Sequence, residues 1–360
     1  MESIMGWGLI KILFGLVIVI PIVFYVLSHK IYYKGEATEY FNGKIFLNPG
    51  EDFHKHEMRD VRKMRSEPRQ DWTTEAAEAE QVTKQPTNII PNAEGIKITL
   101  IGHSTVLIQM HGINILTDPV FSNRASPVSF LGPKRFRKPG VDFDSLPKID
   151  AVLISHNHYD HLDLSTIKKL LIRDNPQFIV PLGNDSILKS VNNKIHVQAY
   201  NWWDCADIND DISVCLVPAK HWSARRLRDR CRAFWAGFVI KSKAQPADQI
   251  YFAGDTGYGT GLYFKSIFEK HGNFKVALIP IGAYEPQWFM KNYHLNPHEA
   301  LQVWNDIGRP LFIPIHDRVF QLSAEGYNQP KEDLFKAMKE SGVAQENVRY
   351  LEIGEMVEEI

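Results

Sequence analysis

The chain has 360 residues, of which 44% are hydrophobic and 23% charged. That composition excludes a chain disordered throughout and a polytopic membrane protein. Lys and Arg total 41 against 42 Asp and Glu, a net charge of -1, so there is no whole-chain electrostatic case for nucleic-acid binding.

Residues 12–27 form an uncharged run with Pro21 inside it. With the apolar residues before Lys11 it reaches the ~20 residues a helix needs to span hydrocarbon. A single N-terminal transmembrane helix is expected, giving a membrane anchor over residues 1–30. A cleaved signal peptide fits less well, because Glu2 offsets Lys11 and no small-x-small site follows. Lys30, Lys34 and Lys44 follow the span, and the positive-inside rule then leans towards a cytoplasmic catalytic domain. Residues 31–95 are polar and poor in strand patterns, with a short helix expected over 75–85, and read as a connector or N-terminal extension. Cys205, Cys215 and Cys231 are too few and too spread for a disulfide framework or a cysteine-ligated zinc site.

From residue 96 to the C-terminus the texture is that of a folded catalytic domain. Strand patterns fall at 96–101, 105–110, 113–117, 151–155, 178–181, 212–217, 234–240, 250–253, 276–280 and 311–315. Helical periods fall at 165–172, 262–270, 298–307 and 331–341. Early hairpins followed by alternating strand and helix imply an α/β fold of two sheets covered by helices.

The strongest chemical signal is Ser155-His156-Asn157-His158-Tyr159-Asp160-His161, straight after the apolar run Ala151-Val152-Leu153-Ile154. Residues two apart on an extended chain point to the same side, so His156 and His158 can meet one metal. Asp160 and His161, in the turn that follows, can face a neighbouring metal. Imidazole and carboxylate donors suit zinc. His221, Asp255 and His316 each follow a further strand pattern. A lone histidine in such a place is ordinarily a surface or core residue, but in this order, after this motif, the three complete a ligand set.

The order His-x-His-x-Asp-His, His, Asp, His resembles the metallo-β-lactamase superfamily. The resemblance implies an αββα sandwich with two zinc ions at the sheet edges. By analogy His156, His158 and His221 hold one zinc, Asp160, His161 and His316 hold the other, and Asp255 bridges both. Ile101-Gly102-His103-Ser104-Thr105, Leu116-Thr117-Asp118-Pro119, Phe252-Ala253-Gly254-Asp255-Thr256-Gly257-Tyr258 and Ile279-Pro280-Ile281-Gly282-Ala283-Tyr284-Glu285-Pro286 resemble one branch, the N-acylphosphatidylethanolamine-hydrolysing phospholipase D family. That family's reaction is metal-hydroxide attack on phosphorus, releasing N-acylethanolamine and leaving phosphatidic acid, with a membrane phospholipid as substrate and a homodimer as the assembly. The resemblance gives Asp160 and Asp255 catalytic roles and puts Tyr159 and His294 at the substrate, while His103 reads as a supporting group. One departure is visible: the family continues Trp-Gly-Thr after its last metal histidine, whereas Asp317-Arg318-Val319-Phe320 follows His316 here. A basic stretch, Arg225 to Arg232, reads either as a solvated loop or as an edge for phosphate or anionic lipid. Other readings keep the metal site but change the bond, as in a lactonase or another metal-dependent hydrolase, or keep only the fold, as in a non-catalytic lipid-binding scaffold.

Overall fold

The computed structural model describes residues 30–51, 56–82, 89 and 95–358. The strands run β1 (Ile96–Gly102), β2 (Thr105–Met110), β3 (Ile113–Thr117), β4 (Ala151–Leu153), β5 (Gln177–Pro181), β6 (Val197–Tyr200), β7 (Cys205–Asp207), β8 (Ile212–Val217), β9 (Gly237–Ser242), β10 (Gln249–Phe252), β11 (Val276–Pro280), β12 (Leu311–Ile315) and β13 (Met356–Val357). The helices are α1 (Met58–Ser66), α2 (Thr73–Val82), α3 (Leu164–Arg173), α4 (Asn184–Leu188), α5 (Leu262–His271), α6 (Gln287–Met290), α7 (Pro297–Asp306) and α8 (Gln329–Ser341).

One sheet has the order β13-β1-β2-β3-β4-β5-β6 and the other β12-β11-β10-β9-β8-β7. β1, β2 and β3 form an antiparallel meander, after which β3 to β6 run parallel. In the second sheet β7 to β10 alternate in direction, and β10, β11 and β12 run parallel.

Successive strand residues face opposite ways, and the apolar side chains sort accordingly. Ile108, Leu153, Ile240 and Leu278 meet between the two sheets. Their neighbours Leu107 and Val152 turn outward onto Ile167 and Leu170 of α3 and Ile187 of α4. On the other side Val239 and Ala277 turn outward onto Phe264 of α5, Trp304 of α7 and Leu334 of α8. Three apolar layers between four structural layers make an αββα sandwich. Residues ahead of β1 are tied into it: Phe46 is buried and stacks on Phe234 with ring centroids 4.6 Å apart. The Trp72 indole donates to the Glu325 carbonyl at 2.9 Å.

Several expectations need correction. Among the described residues no helix is long and apolar enough to cross a membrane, and residues 12–27 lie outside the described residues. The single-pass transmembrane anchor over residues 1–30, and the membrane localisation and orientation built on it, are therefore withdrawn. A disulfide joins Cys205 and Cys215, which face each other on the neighbouring strands β7 and β8, while Cys231 is free and buried. Pairing across a ladder is not visible in cysteine spacing. The strand expected from 234 begins only at Gly237. Phe234 N–H donates instead to the Leu182 carbonyl and Ala236 N–H to the Ser155 carbonyl, stitching one sheet to the other. The strand expected to reach 155 ends at Leu153. Ser155 leaves the ladder because Asp118 takes both its N–H, at 2.7 Å, and its hydroxyl, at 2.6 Å.

Candidate metal centre

Strand direction explains why residues distant in sequence meet. β1 runs parallel to β3 because two antiparallel pairings separate them, and β4 is parallel to β3. The segments after β1, β3 and β4 therefore emerge at one edge, bringing His103, Asp118 and the 155–161 loop together. The same logic relates β8 to β10, and β11 and β12 are parallel to β10. Their C-terminal ends deliver His221, Asp255, the 281–294 segment and His316. His103 and His316 both sit at positive φ, 59° and 66°, so the chain turns sharply as it leaves β1 and β12.

Two groups of donors form there. In the first, His158 Nδ1 lies 2.8 Å from His156 Nε2 and 3.2 Å from His221 Nε2. In the second, Asp160 Oδ2 lies 3.0 Å from His103 Nε2, 3.3 Å from His161 Nε2 and 3.5 Å from His316 Nε2. Asp255 stands between them. Its Oδ1 is 3.1 Å from His316 Nε2, while Oδ2 is 3.2 Å from His161 Nε2 and 3.7 Å from His221 Nε2. His294 Nδ1 approaches Asp255 Oδ2 at 3.9 Å. The structure thus gathers His156, His158, Asp160, His161, His221, Asp255, His294 and His316 in one patch, buried except for the half-buried His158 and His294.

Tyr159, expected at the substrate, is half-buried in the 155–161 loop. Its hydroxyl donates to the Arg225 carbonyl at 2.8 Å. His103, read as a supporting group, belongs to the second donor group. Asp118, in the block Leu116-Thr117-Asp118-Pro119, has no metal-like spacing in the sequence. It follows β3 at the same edge and accepts from His161 Nδ1 at 2.7 Å.

These contacts aim the donors inward. Asp118 engages His161 at Nδ1, and the Tyr293 carbonyl engages His221 Nδ1 at 2.9 Å. Each leaves Nε2 facing the centre, as outer partners of metal-binding histidines do. Ser155 Oγ lies 2.9 Å from His156 Nδ1 and acts in the same way.

Charge supports the same assignment. Burial holds His156 and His221 well below the usual imidazole range and brings His158 to about 3, so all three rings are neutral and carry lone pairs. In the second group burial works against charge but loses: His161 is held well above its ordinary value by Asp255, Asp160 and Asp118, and His316 rises to about 9 beside Asp255 and Asp160. Burial, the largest single influence, would raise Asp160 and Asp255, but the histidines around them, His161 foremost, together hold both well below the carboxylate range.

The donor set fits metal ions. His161 Nε2, His316 Nε2, His158 Nε2 and Asp255 Oδ1 are buried and make no hydrogen bond. Buried polar atoms left unpaired are costly, and here three of the four lie within the converging donor groups. Imidazole and carboxylate atoms converging in this way suit zinc.

A cleft of about 190 Å³ opens beside His294, walled by His56, Trp222, Phe289 and Tyr293. Arg230 covers it, its guanidinium 4.0 Å from the Trp222 ring centroid. In the sequence departure after His316, Phe320 packs edge-on against His103 with ring centroids 5.3 Å apart. Arg318 pairs with Asp317 at 2.9 Å and Glu352 at 2.8 Å, and Tyr350 donates to Asp317 at 2.5 Å.

The fold and the donor set define a metal-dependent hydrolase of the metallo-β-lactamase fold. The Beta-lactamase superfamily domain matches residues 113–316. The chain is 37% identical to N-acyl-phosphatidylethanolamine-hydrolyzing phospholipase D 1 of Caenorhabditis elegans over 254 residues, covering 68% of this chain and 70% of that one. It is 36% identical to the mitochondrial N-acyl-phosphatidylethanolamine-hydrolyzing phospholipase D of Saccharomyces cerevisiae over 257 residues, covering 69% of this chain and 54% of that one. The structure of Igni18, a metallo hydrolase from Ignicoccus hospitalis, superposes with a TM-score of 0.53 at 23% identity, covering 73% of this chain and 97% of that one. The chain belongs to the metallo-β-lactamase superfamily, in the branch that holds the N-acyl-phosphatidylethanolamine-hydrolyzing phospholipases D.

Proposed function

We propose that the protein is a zinc-dependent phosphodiesterase of the phospholipase D type, hydrolysing a membrane phospholipid, N-acylphosphatidylethanolamine, to N-acylethanolamine and phosphatidic acid. The observation that carries this reading is the pair of donor groups joined by Asp255, in a chain 37% identical to an enzyme named for that reaction.

His156, His158 and His221 would hold one ion and Asp160, His161 and His316 the other, with Asp255 reaching both. When bound, two such ions supply an activated water near neutral pH and neutralise charge on a phosphodiester. The chain's own residues do the rest. Asp160 Oδ2, held by His103 Nε2 at 3.0 Å, takes the proton of the attacking water. A new oxygen–phosphorus bond forms, the bond from phosphorus to the ethanolamine oxygen breaks, and the proton passes to that leaving oxygen. His294 stands between Asp255 and the aromatic cleft and orients the phosphodiester, while Trp222, Phe289 and Tyr293 exclude water from the apolar part of the lipid. Burial brings His294 to about 4, so it is neutral and can donate one hydrogen bond to a phosphate oxygen.

The test is hydrolysis of N-acylphosphatidylethanolamine in mixed micelles, followed by mass spectrometry of both products. Wild type should release them in equal amounts, and His158→Ala should release neither. No release by metal-replete wild type would end the phospholipase reading.

A further inference from the structure

Arg230 is a cation without a counter-charge beside the metal centre. It lines the cleft at His294, and among the described residues no carboxylate lines that cleft with it. Its Nε is buried and makes no hydrogen bond, and one terminal nitrogen reaches the Tyr293 hydroxyl only at 3.5 Å. Two aromatic rings hold the guanidinium in place. Its carbon lies 4.0 Å from the Trp222 ring centroid and 5.7 Å from that of Tyr293. A ring contact of this kind uses the face of the cation. It leaves the N–H donors, which lie in the guanidinium plane, for an acceptor.

The neighbouring acid does not supply that acceptor. Asp229 accepts from the Tyr32 hydroxyl at 2.6 Å, from Arg225 N–H at 3.1 Å and from Arg226 N–H at 2.8 Å. Arg225, in the same basic stretch, is spent on structure: its guanidinium donates to the Asn157 carbonyl at 2.9 Å and the Leu162 carbonyl at 2.7 Å. Arg230 is half-buried and lacks any such partner. A charge removed from water and left unpaired is costly, and an entering anion relieves it.

The surroundings say what kind of anion. The Trp222 ring that carries Arg230 also packs on His158, with centroids 4.4 Å apart, so the cation stands next to the first donor group. The rest of the wall is apolar. Val61 and Met64, three apart and so on one face of α1, join Phe289 and Leu322. Contacts with α6 hold α1 there: His56 stacks on Phe289 with ring centroids 3.8 Å apart, and the Trp288 indole donates to Glu67 at 2.8 Å.

We infer that Arg230 binds a non-bridging oxygen of the substrate's phosphate, and that it sets the preference of this cleft for an anionic phosphoester bearing an apolar chain over a neutral ester or lactone. The identity of the ligand rests on the phospholipase reading. The guanidinium fork suits phosphate oxygens, and Val61, Met64, Phe289 and Leu322 cover the chain. A neutral ester or lactone offers this cation no charge.

The experiment is calorimetric titration of the full metal-loaded chain with monomeric dihexanoyl phosphatidic acid, with dihexanoylglycerol and with inorganic phosphate. Arg230→Gln should bind the phosphatidic acid at least about tenfold more weakly than wild type, a change of roughly 1.4 kcal/mol, with metal content and dihexanoylglycerol affinity unchanged. Arg230→Lys, which keeps the charge but loses the fork, should fall between the two. Arg230→Met keeps the aliphatic stem on Trp222 and gives the same reading should the Gln variant not fold. Inorganic phosphate reaches Arg230 but not the apolar wall, and should bind wild type more weakly than the phosphatidic acid. Unchanged affinity for phosphatidic acid in the neutral variants, or an equal loss for dihexanoylglycerol, would overturn the assignment. Phosphate binding as tightly as phosphatidic acid would overturn the role of the chain. Turnover separates this inference from the reading it rests on. Binding that depends on Arg230 without release of N-acylethanolamine would end the phospholipase reading alone, and release with unchanged affinity in Arg230→Gln would end the Arg230 assignment alone.

Discussion

The two halves of the candidate metal centre are built from different materials. The half around His158 is all imidazole, and burial keeps His156, His158 and His221 neutral. The half around Asp160 has a carboxylate of its own, and Asp160 and Asp255 raise His161 and His316 against burial, while burial above all brings His103 in the same group down to about 3. Asp255 belongs to both. A neutral half binds by lone pairs alone, whereas a charged half binds by lone pairs and by charge and must shed protons as the metal enters. On this account the two positions differ in affinity and in pH dependence, while one carboxylate couples them.

Removing the shared carboxylate should have the largest effect. Asp255→Ala is expected to lower hydrolysis more than about a hundredfold, beyond what loss of an outer partner costs, and to reduce bound metal at both positions in elemental analysis. A full complement of metal in that variant would break the coupling. His158→Ala should come next and affect one half: about one metal equivalent should be lost while the other stays, a result that sharpens the distinction between the halves. Asp118→Asn should follow. It removes the carboxylate that holds His161 Nδ1 at 2.7 Å, and a loss of about 10–100-fold in metal affinity or activity is expected, read by competition with a chelator.

The smallest effect concerns a half-buried histidine away from the metal centre and serves as a control. His271, at the end of α5, is brought down to about 4, first by burial and then by Lys241 and Lys270. Its folded value lies below its unfolded one, so for a histidine the unfolded chain binds the extra proton. The stability tied to neutral His271 is present above pH ~6.5 and is lost as pH falls towards 4. His271→Gln should flatten that part of the thermal stability profile and leave metal content unchanged. A change in metal content would show that His271 is not an isolated group.

Much of this was readable in sequence where local pattern and final geometry agree. β2, β3, β8, β11 and β12 fall at their expected bounds because their period-two apolar faces are buried on both sides. The ligand pattern was readable because each donor follows a strand that ends at the same edge. His103 and Asp118 follow strands in the same way, but a single polar residue after a hairpin carries no metal-like spacing, so their roles depend on partners 57 and 43 residues away. The Cys205–Cys215 pairing required the register of β7 on β8, and α1 has no buried side chain to mark its period. The expected anchor rested on the hydropathy and flanking charges of residues 1–30, and among the described residues no helix is long and apolar enough to cross a membrane.

The most direct test is a crystal structure of the metal-replete protein with anomalous data collected at the zinc edge. The account predicts two peaks, one beside His156, His158 and His221 and one beside Asp160, His161 and His316, with Asp255 between them. A single peak, or none in protein that still turns over substrate, would contradict a centre of two joined halves.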